Sequence, residues 1–434
     1  MTDQELGATI EAIWRIESAR VVASVARLTH DLDQAEDVAQ DALLAALEAW
    51  PSRGLPDNPG AWLMTAAKRR ALDHLRHQTM AAPKHAELAR ELDAHHALSE
   101  QAFAERIDAA LDDDIDDDVL RLLFTACHPV LSPDARAALT LKVVGGLTTQ
   151  EIARAYLKPE ATIAQRIVRA KRTLFEAHVP FEMPGGAALA PRLSSVLEVI
   201  YLIFNEGYAA TAGDQWMRPD LCDEALRLGR VLAGLMPEES EVHGLTALME
   251  IQASRLPARM DAKGDPILLP DQDRGRWDRL LIRRGLATLE RAGALPGVLG
   301  PYTLQAAIAA CHARATIYEE TDWTRIAALY EALAQIAPSP VVALNRAVAL
   351  GMAFGPAAGL ELVDALLEEP TLAHYHLLPS VRGDLLARLD RIEEARAEFE
   401  RAATLTRNAR ERALLLARAA GCNEAETLPE KPSR

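Results

Sequence analysis

The stretch from Gly146 to Glu176, GLTTQEIARAYLKPEATIAQRIVRAKRTLFE, carries the residue types best suited to chemistry. Thr162, Gln165, Arg166, Arg169 and Arg172 fall on one stripe at helical spacing. Hydroxyl, amide and guanidinium donors in that arrangement can bond base edges, while Arg169, Lys171 and Arg172 can sit against phosphates. Ile163, Ile167, Ala170 and Leu174 form the opposite stripe and predict an inward face. A shorter helix should precede it. Thr148 and Glu151 are spaced as a capping box, Ile152, Ala153 and Tyr156 give an inner face, and Lys158-Pro159-Glu160 breaks the pattern. A short helix, a tight turn and a second helix with a basic, donor-rich outer face meet the requirements of a major-groove reader. The alternative is an ordinary αα-hairpin with a solvated charged face. Against it, Arg and Lys outnumber Glu here within a chain of net charge -16.

A second constellation lies upstream. In Asp31 to Trp50, the residues Val38, Ala42, Leu43, Ala46 and Leu47 predict an inward face. Glu36, Asp37, Gln40 and Asp41 then remain outside as an acidic and amide patch. After a break at Pro51 to Pro59, Trp62, Leu63, Ala66 and Leu72 should face a core, while Lys68, Arg69, Arg70, Arg76 and His77 gather positive charge. A basic helix beside a loop can hold a phosphate backbone and an extruded base.

The remaining chemistry is weaker. Cys127, Cys222, Cys311 and Cys422 stand far apart and read as buried thiols in a reducing compartment; Cys127-His128 supplies too few ligands for zinc. In DQDRGRWD, the carboxylates of Asp271, Asp273 and Asp278 could be read as a metal cluster. An interdomain loop with ion pairing to Arg274 and Arg276 is the simpler expectation. Glu206 and Tyr208 of YLIFNEGY read as a buried hydrogen-bonded pair. No nucleophile, base and orienter assemble, so neither enzymatic activity nor a cofactor nor a metal is expected.

The elements that must position these residues are helices. Of 434 residues, 49% are hydrophobic but only 5% aromatic, which favours an all-α chain packed through small side chains. The net charge is the wrong sign for a protein that coats DNA, so any nucleic-acid contact is local. The expected order is a helical domain over 8–80, an acidic linker over 81–118, a helix-turn-helix domain over 119–178, a Pro- and Gly-rich linker over 179–190, and a helical domain over 191–425. Within the last, a helix with Ala328, Tyr330 and Leu333 and another with Ala395, Phe399 and Ala402 lie about two periods of roughly 34 residues apart, as in tetratricopeptide repeats. An irregular bundle is the alternative. The N-terminus lacks the pattern of a secretory signal, no run is expected to cross a bilayer, and a cytoplasmic location is anticipated.

Together the two constellations resemble the extracytoplasmic-function (ECF) sigma factors of the sigma-70 superfamily. Ala35-Glu36-Asp37 with Gln40, then Trp62-Leu63, then Asp73 with Arg76 match the family's second conserved region. Arg169-Ala170-Lys171-Arg172-Thr173-Leu174 matches the tail of its fourth. The resemblance covers about the first 180 residues, and the remainder resembles a subgroup with a tetratricopeptide-like C-terminal extension. One departure is Arg69, where many members carry Asn.

The resemblance implies contacts with core RNA polymerase and promoter DNA. Asp37, Gln40 and Asp41 would bind polymerase. The Ser52 to Asn58 loop would receive a flipped base of the minus-10 element, with Arg53, Asn58, Lys68, Arg69, Arg70 and Arg76 on the DNA there. Thr162, Gln165, Arg166, Arg169, Lys171 and Arg172 would read the minus-35 duplex. The acidic linker would lie in polymerase's basic RNA path, and the C-terminal domain would regulate engagement, with a protein partner of its own. Competing readings are a stand-alone helix-turn-helix regulator with an effector- or protein-binding repeat domain, and a helical adaptor that binds no DNA.

Overall fold

The computed structural model describes residues 3–80, 115–156, 158–210 and 214–426. Helices α1 (Asp3–Thr29), α2 (Leu32–Arg53) and α3 (Pro59–Met80) pack pairwise. The Asp31 carboxylate starts α2 by accepting the Asp33 and Gln34 amides at 2.8 and 3.3 Å. Gly54, at φ 83°, ends it by returning its N–H to the Trp50 carbonyl. The break is therefore shorter than Pro51 to Pro59. A proline in the last turn forfeits only one ladder bond, so the helix continues through Pro51 to Arg53. Trp50 and Trp62 meet edge to face at 5.4 Å and tie α2 to α3.

Of the acidic linker, residues 81–114 lie outside the described residues. Its last four, 115–118, form the first turn of α4 (Ile115–Ala126). Asp118 is fully buried between Arg27 at 3.0 Å and Arg121 at 2.6 Å. Helix α4 packs on α1, and α5 (Pro133–Val143), α6 (Thr149–Ala155) and α7 (Glu160–Glu176) follow.

Helix α8 (Leu189–Tyr208) corrects one expectation: the stretch Gly186–Tyr208 is long and apolar enough to cross a bilayer by length and composition. Its Val196, Leu197, Val199, Ile200, Ile203 and Phe204 are buried within the fold. Arg136 donates to Ser195 and to Glu198, Ser195 donates to the Cys127 carbonyl at 2.5 Å, and Arg192 to the Phe124 carbonyl at 2.6 Å. The first part of α8 thus belongs with α4 and α5. The chain divides into two compact units, Met1–Ile200 and Tyr201–Arg434, with the division inside α8. The sequence had suggested a linker at 179–190.

In the second unit the helices pack on their first or second neighbours in sequence. These are α9 (Pro219–Leu235), α10 (Ser240–Ala253), α11 (Arg279–Ala294), α12 (Pro301–Arg314), α13 (Trp323–Ile336), α14 (Pro340–Phe354), α15 (Pro356–Ala365), α16 (Leu377–Ala387), α17 (Ile392–Leu405) and α18 (Ala409–Glu426). Ala395, Phe399 and Ala402 are buried as the periodicity predicts, and Gly383 leaves room for the Phe399 ring. Ala328 is exposed instead, and α13 buries Ile326, Ala327 and Leu333. Among the described residues no strand exists beyond one isolated bridge between Met260 and Pro266.

Two further expectations change in this unit. Asp273 and Asp278 are caps, accepting the Gly275 amide and the Leu280 and Leu281 amides, while Arg274 donates to the carbonyls of His312 and Ala315 and to Thr321. The DQDRGRWD segment is therefore a turn pinned by one arginine. Glu206 pairs with Arg218, and Tyr208 donates to Gln252 at 3.1 Å rather than to Glu206. Neighbours on a helix point apart, so each found a partner elsewhere.

Candidate nucleic-acid interface

The capping box forms as the spacing predicts. The Thr148 N–H donates to the Glu151 carboxylate at 2.7 Å, and the Glu151 N–H returns to the Thr148 hydroxyl at 3.1 Å. Helix α6 starts there, and Pro159 marks the start of α7. Ile163, Ile167, Ala170 and Leu174 are the buried stripe of α7. On the other side, Thr162, Gln165, Arg166 and Arg169 line one groove of about 370 Å3 together with Val130 and Ser132. Arg166 is steadied by Asp134 at 3.1 Å.

Two expected members of this face are elsewhere. Lys171 lies one turn from both Ile167 and Leu174, so it shares their inward side, and its ammonium meets Glu36 at 2.6 Å and Asp33 at 2.8 Å with a side chain only 9% exposed. Arg172 pairs with Glu176 at 2.7 Å. Both border a separate cavity of about 350 Å3, with Asp31, Asp33 and Phe175.

On α2, Asp37, Gln40 and Asp41 are exposed on one face. Leu44 and Leu47, 56% and 42% exposed, continue that stripe, so Leu47 is not the core residue its spacing suggested. Glu36, expected outside, is buried. At the two ends of the Gly54 to Asn58 loop Arg53 and Asn58 are exposed, and along α3 Arg69 is exposed and Arg70 half-buried. Asn58 also accepts the Ala61 amide at 3.1 Å and so caps α3. Lys68 is buried beside Ala67 and Ala71, whereas Trp62, Ala66 and Leu72 are only partly covered. The Arg76 and His77 side chains lie outside the described residues.

Glu36 is the centre of a seam that sequence reasoning missed. It accepts from Lys142 at 3.0 Å, from Lys171 and from the Gln40 amide at 3.2 Å. Burial pushes its carboxyl up, but Lys171 and Lys142 outweigh burial and hold it below the usual carboxylate range. Burial likewise lowers Lys171, and Glu36 with Asp33 raises it above the usual lysine range. Arg15 and Glu151 meet at 2.8 Å on the same side. At Gly146, φ is +70° and an added Cβ would stand 2.6 Å from the Ser18 hydroxyl, so only glycine suits this crossing.

The other candidates carry no such arrangement. Burial lifts the Cys127 thiol to about 12, against the Thr140 hydrogen bond and Arg136, so it is an inert core thiol. No group of three His, Cys, Asp or Glu able to hold a metal occurs among the described residues.

Comparison with known proteins bears on this geometry. Residues 15–80 match the model for sigma-70 region 2, and residues 121–174 that for sigma-70 region 4. The RNA polymerase sigma-H factor of Pseudomonas aeruginosa is 30% identical over 164 residues, which are 37% of this chain and 81% of that protein. The chain belongs to the RNA polymerase sigma factor family. A probable ECF RNA polymerase sigma factor, SigI of Mycobacterium tuberculosis, is 28% identical over 170 residues, 39% of this chain and 56% of that protein. An uncharacterized protein of Rhizobium meliloti is 44% identical over 400 residues, covering 91% of this sigma factor and 92% of itself. Residues 192–293 match a family of unknown function (DUF6596). In this sigma factor the region 2 match holds most of α1 with α2 and α3, and the region 4 match ends at Leu174, just beyond the basic tail of α7.

Proposed function

We propose that this sigma factor is of the extracytoplasmic-function type and directs core RNA polymerase to promoters in the cytoplasm. The observation that carries the reading is the groove on α7, where Thr162, Gln165, Arg166 and Arg169 stand together on the helix that would enter the minus-35 major groove. The exposed stripe of Asp37, Gln40, Asp41, Leu44 and Leu47 supports a second contact, with polymerase: carboxylates and an amide steer a basic partner surface and the leucines supply area to bury. Arg53 and Asn58 flank the loop that would accept a flipped minus-10 base, and Arg69 and Arg70 on α3 would serve the adjacent phosphates; unstacking the base costs a few kcal/mol that its binding must offset. The chain supplies placement and strand opening, and bond formation is left to polymerase. The acidic linker would occupy polymerase's RNA path. The second unit, read as a tetratricopeptide-like array because its helices pack on their first or second neighbours in sequence, would regulate engagement by binding another protein.

Run-off transcription with core polymerase tests this reading. The full chain is compared with one ending after Ala210, which keeps all of α8 and the bonds from Arg136 and Arg192. Promoter-dependent transcripts from at least one form are expected. Their absence from both, where a known factor initiates, overturns the proposal, and duplex binding without any effect on polymerase would mark a stand-alone regulator.

A further inference from the structure

We infer that the second unit carries a binding site for a small anion bearing a phosphate or carboxylate group, centred on Arg255 and backed by Arg259 and Arg274. Shared aromatic neighbours bring the three guanidiniums together. Arg255 and Arg274 lie against the same Trp277 ring, 5.4 and 4.9 Å from its centre. Arg259 lies 3.6 Å from the centre of the Tyr208 ring, and the Tyr208 hydroxyl donates to the same Gln252 oxygen that accepts from Arg255 at 3.2 Å. The chain carries a net charge of -16, yet among the described residues none of the three arginines is paired with a carboxylate. Neutral groups hold them instead. Arg259 donates to the Tyr208 carbonyl and the Met217 sulfur, Arg274 to two carbonyls and the Thr321 hydroxyl, and Arg255 to the amide oxygens of Gln252 and Gln272.

Arg259 and Arg274 are only 5% and 6% exposed. A guanidinium withdrawn from water to that extent loses hydration that a few carbonyl dipoles restore only in part, and an anion nearby supplies the remainder. The same region holds buried nitrogens without a hydrogen-bond partner: Trp277 Nε1, Arg274 Nε and His312 Nδ1. Buried polar atoms nearly always have one, so three together mark a place where a ligand or its water belongs. Burial, with Arg255 and Arg274 adding their charge, pushes the His312 imidazole down to about 3, so it stays neutral and does not add to the repulsion. Arg255 is the point of entry, because it is the partly exposed member of the three. Its Nε and one Nη are taken by the two glutamines, and Gln272 is itself fixed by donating to the Ile267 carbonyl at 3.0 Å. The other Nη has no partner among the described residues, and a guanidinium oriented in this way suits an oxyanion. Arg255 would touch the ligand, while Arg259 and Arg274 act on it through their charge. The site lies wholly in the second unit and does not depend on the sigma-factor reading.

The test is calorimetric titration of the full chain with pyrophosphate and, separately, with citrate, at constant ionic strength set by chloride. At least one of the two should bind saturably, one per chain, with a Kd of about 1 mM or tighter, and the one that binds more tightly tells whether the site prefers phosphate or carboxylate. Arg255→Gln should weaken that binding roughly tenfold or more. Arg255→Lys, which keeps the charge and loses the fork, should weaken it by a smaller factor of about three, and it carries the test if the glutamine variant does not fold. Arg276→Gln, at an exposed position of the same segment, should bind as the unaltered chain does. Saturable binding that is weakened by both Arg255 variants and spared by Arg276→Gln supports the site. Binding of neither anion, or binding that is equal in all the forms that fold, overturns it. If the anion binds as expected while no form supports transcription, the site stands and the sigma-factor reading fails instead.

Discussion

Arg166 and Lys171 stand five residues apart on α7, both basic and both expected on the DNA-facing side, yet one lines an open groove and the other lies in a buried seam. The difference is angular. Arg166 shares its face with Thr162 and Arg169, while Lys171 is one turn from Ile167 and Leu174 and follows them inward. A buried lysine survives only with a partner, and Glu36 and Asp33 provide it. Equal charge on one helix therefore closes a buried seam on one edge and lines an open groove on the other.

The largest effect that would break this contrast is on stability. Glu36→Ala leaves Lys142 without its carboxylate and Lys171 with only the exposed Asp33, and should cost about 3–5 kcal/mol by urea unfolding. A loss below about 1 kcal/mol would mean the seam contributes nothing. In the groove the expectation reverses. Arg166→Ala or Arg169→Ala should each cost about 1–3 kcal/mol in discrimination for the cognate minus-35 sequence, read by competition binding, while stability shifts by less than about 0.5 kcal/mol. Comparable losses of stability in both classes would erase the distinction.

Smaller still is the cap that orients the pair of helices. Thr148→Ala should destabilise unit 1 by about 1 kcal/mol in thermal unfolding, since it removes the acceptor of the Glu151 amide.

The smallest effect is that of pH on the seam. Glu36 titrates below its ordinary 4.5 when folded, so its contribution is complete above that value and lost as pH falls through the lowered one. Lys171 titrates above its ordinary 10.5, so its contribution is complete below that value and lost as pH rises through the raised one. Charged groups facing Glu36 are Lys142 and Lys171, and Asp33 shares Lys171. The seam's share of the stability of unit 1, read by urea unfolding of the chain and of Glu36→Ala at each pH, should accordingly stay flat between these limits and shrink on the acid side. A steep change near neutrality would implicate a different group.

Local rules did most of the work for α6 and α7. The capping box, the Lys158-Pro159-Glu160 break and the Ile163, Ile167, Ala170, Leu174 stripe were all legible because each depends on atoms within one or two turns. The same holds for Ala395, Phe399 and Ala402 in the second unit. Positions at the border of a stripe were not legible: Leu47 and Lys171 each lie at the edge of an apolar face, where a small rotation decides burial. Asp118 falls within the acidic linker that the sequence suggests, because its two arginine partners cannot be paired from spacing alone, one being far upstream.

By itself, then, the sequence determined that this is a helical protein with a helix-turn-helix of sigma-factor type and a helical second half, since helix periodicity, caps and breaks act over a few residues. Only the tertiary structure decided which charges are spare and which are spoken for. Lys171 finds Asp33 across 138 residues of chain, and no local pattern encodes a partner that distant. Burial turns that encounter from a weak surface attraction into a requirement, because a charge withdrawn from water must meet its opposite.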